Sequence, residues 1–252
     1  MQKVEVVFFA VIILCCISFT SLSVKAGNWK TAVVVTTDKV HEKQASVEQN
    51  GNTFIIKAGG DDIWGNADQF TFVYQEISGD FEMSVTVHSL DETNEWSKSG
   101  IMARQDLEPE SPNVLAAVRG KANHGHDLVT FQNRPTRNAA SASERLTATK
   151  GEIPVSIKLI RKGDEFTGTY SLKYVDENSW VPFDELDGKN GGPPAPWVVP
   201  MEDPILLGIA VTSHQAGVIT TSEVEIINVP GSFPVEPLDK TAITWAEIKS
   251  SY

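Results

Sequence analysis

Residues 70–87 read Phe70-Thr71-Phe72-Val73-Tyr74-Gln75-Glu76-Ile77-Ser78-Gly79-Asp80-Phe81-Glu82-Met83-Ser84-Val85-Thr86-Val87. Phe70, Phe72 and Tyr74 alternate with Thr71 and Val73, and Phe81, Met83, Val85 and Val87 alternate with Glu82, Ser84 and Thr86. A period of two sends successive side chains to opposite faces of a pleated strand, so each half predicts a β-strand. The same pattern recurs on both sides. Ser46-Val47-Glu48-Gln49, Asn50-Gly51-Asn52 and Thr53-Phe54-Ile55-Ile56-Lys57 predict a hairpin, because Asn-Gly supplies the positive φ that a tight turn needs. Val155, Ile157 and Leu159 alternate with Ser156 and Lys158, and the turn Lys162-Gly163-Asp164 leads into Phe166, Gly168 and Tyr170. Val224 and Ile226 alternate with Glu223 and Glu225. After the N-terminal segment, no stretch of ten or more residues keeps a helical apolar stripe. About twelve short strands spaced by Gly, Asn, Asp and Pro turns predict an all-β fold, a single-domain antiparallel β-sandwich of jelly-roll type.

Two segments break the alternation. Asp184 to Pro204 holds Gly188, Gly191, Gly192, Pro193, Pro194, Pro196, Pro200 and Pro204, which predicts a long surface loop. Beyond Val229, Pro230, Pro234 and Pro237 precede the run Thr241–Lys249, which predicts a linker and a weak helix.

Composition narrows the function classes. The 252 residues are 41% apolar and 21% charged, which excludes wholesale disorder and fibrous repeats. Lys and Arg total 21 against 33 Asp and Glu, a formal net charge of −12. Phosphate backbones are bound by basic surfaces, so nucleic acid is excluded as a partner and an anionic membrane surface is disfavoured. Lys3 precedes an apolar run from Val6 to Ile17, then Ser18, Thr20, Ser21, Ser23 and the small-residue site Val24-Lys25-Ala26. This predicts a cleaved secretory signal over residues 1–26. The apolar run is shorter than the roughly 20 residues of a membrane-spanning helix, so no membrane insertion is expected after cleavage. Cleavage removes Cys15 and Cys16, the chain's two cysteines, and leaves no disulfide and no thiolate chemistry. The expected organisation is a signal over 1–26, a sandwich over 27–229 and a tail over 230–252, in a protein that is secreted, periplasmic or at the cell surface.

Four stretches carry a resemblance. They are Asp62-Ile63-Trp64-Gly65-Asn66-Ala67-Asp68-Gln69-Phe70, Ser78-Gly79-Asp80-Phe81-Glu82, Trp96-Ser97-Lys98-Ser99-Gly100-Ile101-Met102-Ala103-Arg104 and Gly208-Ile209-Ala210-Val211-Thr212-Ser213-His214. Together they resemble the regulation-of-enolase-like domain of the concanavalin A-like lectin/glucanase superfamily, over roughly Lys43 to Val229. The resemblance implies a jelly roll of two packed antiparallel sheets and little about activity, since lectins, hydrolases and inert modules share that fold. The Asp184–Pro204 loop is longer than the turn the family would place there. The resemblance also places Arg104, Gln132, Arg134 and His214 on or at the ends of strands.

Hydrolases of this fold carry Glu, Asp and Glu on one strand face, nucleophile and acid flanking the bond. Glu185-Leu186-Asp187 lacks the second Glu and lies in the Gly/Pro segment, and Glu223 with Glu225 lacks a third carboxylate. Neither is read as catalytic, and no catalytic residue is assigned. Asp61, Asp62 and Asp68 around Trp64 are the one place for calcium, although the Asp-x-Asp-x-Asp-Gly spacing is absent and solvated turn residues explain them as well. His124-Gly125-His126-Asp127 lacks a third metal ligand. A ligand-binding face is the better-supported site, made of Trp96, Arg104, Gln132, Arg134 and His214. Planar polar groups beside an aromatic face match a sugar's hydroxyls and its C–H surface. The competing reading makes the two arginines internal braces, each paired with its own carboxylate, and Trp64 and Trp96 core plugs.

The function expected is an exported, non-catalytic module that binds carbohydrate or a cell-surface glycan. A structural or adhesive surface protein and a glycoside hydrolase are the alternatives. Mass spectrometry of exported protein should find residues 1–26 missing; an intact Met1 would overturn the signal.

Overall fold

The computed structural model describes residues 29–35, 44–91, 93–120, 128–145, 152–172, 179–183 and 196–230. Its strands form two large antiparallel sheets. Sheet one runs β1 (Lys30–Val34), β6 (Phe70–Ile77), β16 (Ile205–Thr212), β8 (Lys98–Arg104), β9 (Asn113–Arg119), β10 (Val129–Arg134) and β11 (Ala142–Arg145). Sheet two runs β14 (Val181–Pro182), β13 (Glu165–Ser171), β12 (Val155–Lys162), β7 (Phe81–Leu90), β17 (Thr220–Asn228), β3 (Thr53–Ala58) and β2 (Ser46–Asn50), with β15 (Trp197–Val198) against β13. A separate two-stranded ribbon pairs β4 (Ile63–Trp64) with β5 (Ala67–Asp68). The alternation therefore reads correctly into an antiparallel sandwich. Half of the neighbouring pairs in the two sheets join strands distant in sequence, with β16 between β6 and β8, as in a jelly roll.

The turns behave as their residues dictate. Asn50 pairs with Thr53 across Gly51-Asn52, and Gly51 takes φ 60°. Lys162 pairs with Glu165 across Gly163-Asp164, with Gly163 at φ 58°. Both positions need the left-handed backbone that glycine adopts without steric cost.

The main core lies between the sheets. Phe54, Ile56, Met83, Val85, Ile157 and Leu159 from sheet two meet Val73, Ile101, Ala103, Val114, Phe131 and Ile209 from sheet one. Phe131 stacks on Trp197 at 4.6 Å between centroids and on Phe183 at 5.2 Å. Gly168 makes room for this stack, since a Cβ there would come within 2.9 Å of the Phe183 ring.

Two expectations change. Sheet one is buried on both faces: Phe70, Phe72 and Tyr74 point away from the main core into a second cluster with Ile63, Met102, Leu115 and Ala210. The reason is the β4–β5 ribbon, which covers that outer face with Ile63. The end of the Asp184–Pro204 segment is also not a surface loop, because Trp197, Val199 and Met201 alternate into the core while Val198 is exposed. The signal over 1–26, residues 184–195 and the helix expected over Thr241–Lys249 lie outside the described residues. Among the described residues no helix is long and apolar enough to cross a membrane.

Phe131→Ala removes the centre of the aromatic stack. It should cost about 3–5 kcal/mol, read as a lowered midpoint in urea unfolding.

Candidate functional site

Every side chain that matters at the site stands on the outer face of sheet one or on the segments covering it. In β8 that face is Lys98, Gly100, Met102 and Arg104; in β9 it is Asn113, Leu115, Ala117 and Arg119; in β10 it is Thr130, Gln132 and Arg134. The alternation puts polar groups at both ends of β8 and β9 with small or apolar ones between, and keeps the β10 face polar along its length.

One end is sealed. Asp68, at the close of the β4–β5 ribbon, is 0% exposed, as are Arg104 and Arg134. Arg134 Nη2 and Nη1 donate to its two carboxylate oxygens at 2.5 and 2.7 Å, Asn113 Nδ2 donates at 3.0 Å, and Arg104 Nη1 lies 3.4 Å away. The remaining guanidinium protons reach carbonyls: Arg104 donates to Asp106 and Glu108, and Arg134 to Pro109, Ser111 and Gly65. Arg104 also sits over the Phe70 ring at 4.9 Å. Burial pushes the Asp68 carboxyl upward against the opposing pull of Arg134 and Arg104, and it pushes Arg104 down to about 10. Arg104 keeps its charge at neutral pH.

The other end is open. A cavity of about 240 Å³ is lined by Asp62, Trp64, Trp96, Lys98, Arg119, Thr130, Gln132 and His214. Lys98, Arg119, Thr130 and Gln132 form a buried floor; Trp64 is 39% exposed, and Asp62, Trp96 and His214 are half-buried. Lys98 Nζ donates to Asp62 Oδ1, and His214 Nε2 lies 3.2 Å from Asp62 Oδ2. Burial pushes Asp62 up, but the His214 hydrogen bond and the Lys98 charge outweigh it and hold the carboxyl below its ordinary value. Burial lowers the Lys98 ammonium, with Asp62 opposing. His214 takes φ 54°, rare for a residue with a side chain, at the turn that ends β16. Gly60, at φ 104°, brings its carbonyl to the hydroxyls of Thr212 and Ser213 and so fixes that turn. Trp96 donates its indole N–H to Glu95 at 3.0 Å and carries Arg119 over its ring at 3.9 Å. Gln132 Nε2 donates to the Ile63 carbonyl at 2.6 Å and leaves its other N–H and its oxygen for further bonds.

The structure thus divides the five predicted binding residues. Trp96, Gln132 and His214 come together in the cavity. Arg104 and Arg134 do not line it; they are the internal braces of the competing reading, sharing Asp68 rather than each holding its own carboxylate. Trp64, favoured as a core plug, is instead an exposed wall. The three aspartates of the calcium suggestion stand apart. Asp61 accepts from Gln69 at 3.2 Å, Asp62 is taken by Lys98 and His214, and Asp68 by two arginines, so the three carboxylates do not converge. No group of three or more possible ligands that could hold a metal occurs among the described residues. His124–Asp127, Glu185 and Asp187 lie outside them. Glu225 meets His88 at 2.9 Å on sheet two and Glu223 is exposed there, and neither lines the cavity. Lys98 and Arg119 were not singled out in the sequence. Their signal is a basic residue in step with Arg104 on one strand and with Asn113 on the next, each strand otherwise apolar.

No family model and no curated protein matches this chain. Among solved structures, it is similar to a functionally unknown protein from Saccharomyces cerevisiae, at 16% identity and TM-score 0.54, over 73% of this chain and 92% of that one. It is also similar to the carbohydrate-binding module CBM66 from Bacillus subtilis, at 16% identity and TM-score 0.44, over 80% and 92%. The exoplasmic/lumenal domain of VIP36, solved with calcium and mannose, gives 11% identity and TM-score 0.42, over 79% and 82%. These likenesses are of fold alone, an all-β antiparallel sandwich.

Arg134→Ala leaves Asp68 buried beside one imperfectly placed arginine. It should cost about 3–5 kcal/mol in urea unfolding; a loss below about 0.5 kcal/mol would return Arg134 to the surface.

Proposed function

We propose that this protein is an exported module that binds a single sugar ring in the Trp64–Trp96 cavity without cleaving it. The observation that carries the reading is the pairing of an exposed indole with fixed polar groups around one small cavity. Pockets for drug-sized ligands run from about 300 to 1,000 Å³, and this one, at about 240 Å³, suits one ring rather than a chain. Trp64 offers a flat apolar surface for the C–H face of a sugar. Asp62 accepts from hydroxyls, and Gln132 both donates and accepts. Asp62 and Gln132 are held by their neighbours before any ligand arrives, which lowers the ordering cost of binding.

Cleavage by the two-carboxylate route needs a second carboxyl group about 5–10 Å from the first. Among the described residues the lining contributes Asp62 alone, and Asp62 is engaged by Lys98 and His214. A purely structural or adhesive role is less consistent with an open cavity floored by buried polar side chains. Export rests on the N-terminal segment read above.

A glycan array of neutral and acidic sugars should identify a ligand for the full-length protein. Trp64→Ala should then weaken it by at least about 2 kcal/mol, roughly thirtyfold in Kd, with the melting temperature nearly unchanged because the indole is exposed. Unaltered binding by that variant, or no ligand on the array, would sink the reading.

A further inference from the structure

The floor of the cavity holds hydrogen-bonding capacity that the protein itself does not use. Thr130 and Gln132 stand on the outer face of β10, and both line the cavity although they are only 4% and 1% exposed. The Thr130 hydroxyl has no hydrogen-bond partner among the described residues. A buried hydroxyl without a partner costs free energy, and an apolar residue of the same shape removes that cost. Valine has that shape and suits a strand equally well, yet the position holds threonine.

Gln132 is oriented by the fold. Its Nε2 donates to the Ile63 carbonyl at 2.6 Å, so the β4–β5 ribbon decides which end of the amide is nitrogen and leaves Oε1 as an acceptor. The two residues are two positions apart, so their side chains rise from one face roughly 6–7 Å apart along the strand. Asp62 is already shared between Lys98 and His214. Thr130 and Gln132 are therefore the uncharged buried groups of the lining that keep capacity for a ligand.

We infer that this pair reads an acetamido group, and that the ligand is an N-acetylhexosamine. This rests on the carbohydrate reading above and deepens it. A secondary amide carries its N–H and its C=O on opposite edges of one plane. Partners that meet both edges at ordinary hydrogen-bond lengths stand roughly 7–8 Å apart, a span that two side chains at this spacing can bracket. Gln132 Oε1 accepts from the amide N–H, and the Thr130 hydroxyl donates to its carbonyl. A ring hydroxyl presents donor and acceptor on one oxygen, and neighbouring ring hydroxyls lie closer together than these partners. The ring then lies against Trp64, with the acetyl methyl toward the Trp96 wall. The group is uncharged, so it leaves the Lys98–Asp62 and His214–Asp62 pairs as they are.

The test compares N-acetylglucosamine and N-acetylgalactosamine with glucose, galactose, the free 2-amino sugars and N-acetylglycinamide, by calorimetric titration of the full-length protein. One N-acetyl sugar should bind at least about tenfold tighter than its parent hexose. Thr130→Val should erase most of that preference while the midpoint of urea unfolding holds or rises, because no bond within the protein is lost. Equal or tighter binding of the parent hexose or of the free amine overturns the acetamido assignment and leaves the carbohydrate reading standing. An undiminished preference in Thr130→Val overturns the role of that hydroxyl. So does a lowered midpoint, which places the hydroxyl in a bond within the protein; the comparison on the parent protein then decides the acetamido group alone. Absence of binding by any sugar, or binding of N-acetylglycinamide as tight as that of the sugar, overturns both readings.

Discussion

Asp68 holds the outer face of sheet one together. A carboxylate with no access to water is tolerated only if its charge and lone pairs are met by partners. Here two guanidinium groups and the Asn113 amide meet them. The arginines stand on β8 and β10, on either side of β9, while Asp68 comes from the ribbon that crosses above. Their other protons go to carbonyls of the ribbon and of residues 106–111, so one buried anion fastens two loops to three strands. The ribbon has only two residues in each strand and little stability of its own. Without this anchor the ribbon keeps only weaker ties, such as the Gln132 bond to the Ile63 carbonyl, and Ile63, Trp64 and Asp62 are held less firmly over the sheet and at the cavity.

Local order was legible in the sequence, and partnership across the fold was not. The hairpin at Asn50–Thr53, the inward Ile101 and Ala103 and the inward Phe131 follow from alternation and turn chemistry, which act between near neighbours. Alternation separates two faces but does not say what covers each. Phe70, Phe72 and Tyr74 read as one apolar face, and the ribbon that makes their face the outer one is a distant consequence of Asp68. The same limit applies to Trp64. An indole reads as core because aromatics dominate sandwich cores, until the two-residue turn at Gly65-Asn66 is seen to leave it at the ribbon's edge. Gln132 and His214 were named because the resemblance places them on or at the ends of strands, and Trp96 because its approach is a polar loop. Arg104 and Arg134 share that signal, and only the position of Asp68, more than thirty residues from either in sequence, distinguishes them.

Lys98 and Arg104 show how one strand face serves two ends. They stand on the same side of β8, six residues apart, roughly 20 Å along an extended strand. Each is a buried cation with an aspartate from the segment around β4 and β5. At Arg104 the ribbon and the 106–111 loop close over the charges, and the guanidinium meets Asp68, the Asp106 and Glu108 carbonyls and the Phe70 face. At Lys98 the covering stops at Asp62, and the walls beyond are Trp64, Trp96 and His214. The sealed end can only brace, because a ligand there would have to displace carbonyls that the arginines already hold. The open end keeps buried donors at the floor of a cavity that solvent and a small solute can enter. Bracing and recognition thus use one chemistry, a cation held by an aspartate on a sheet face, and the extent of the covering ribbon decides which role each end takes.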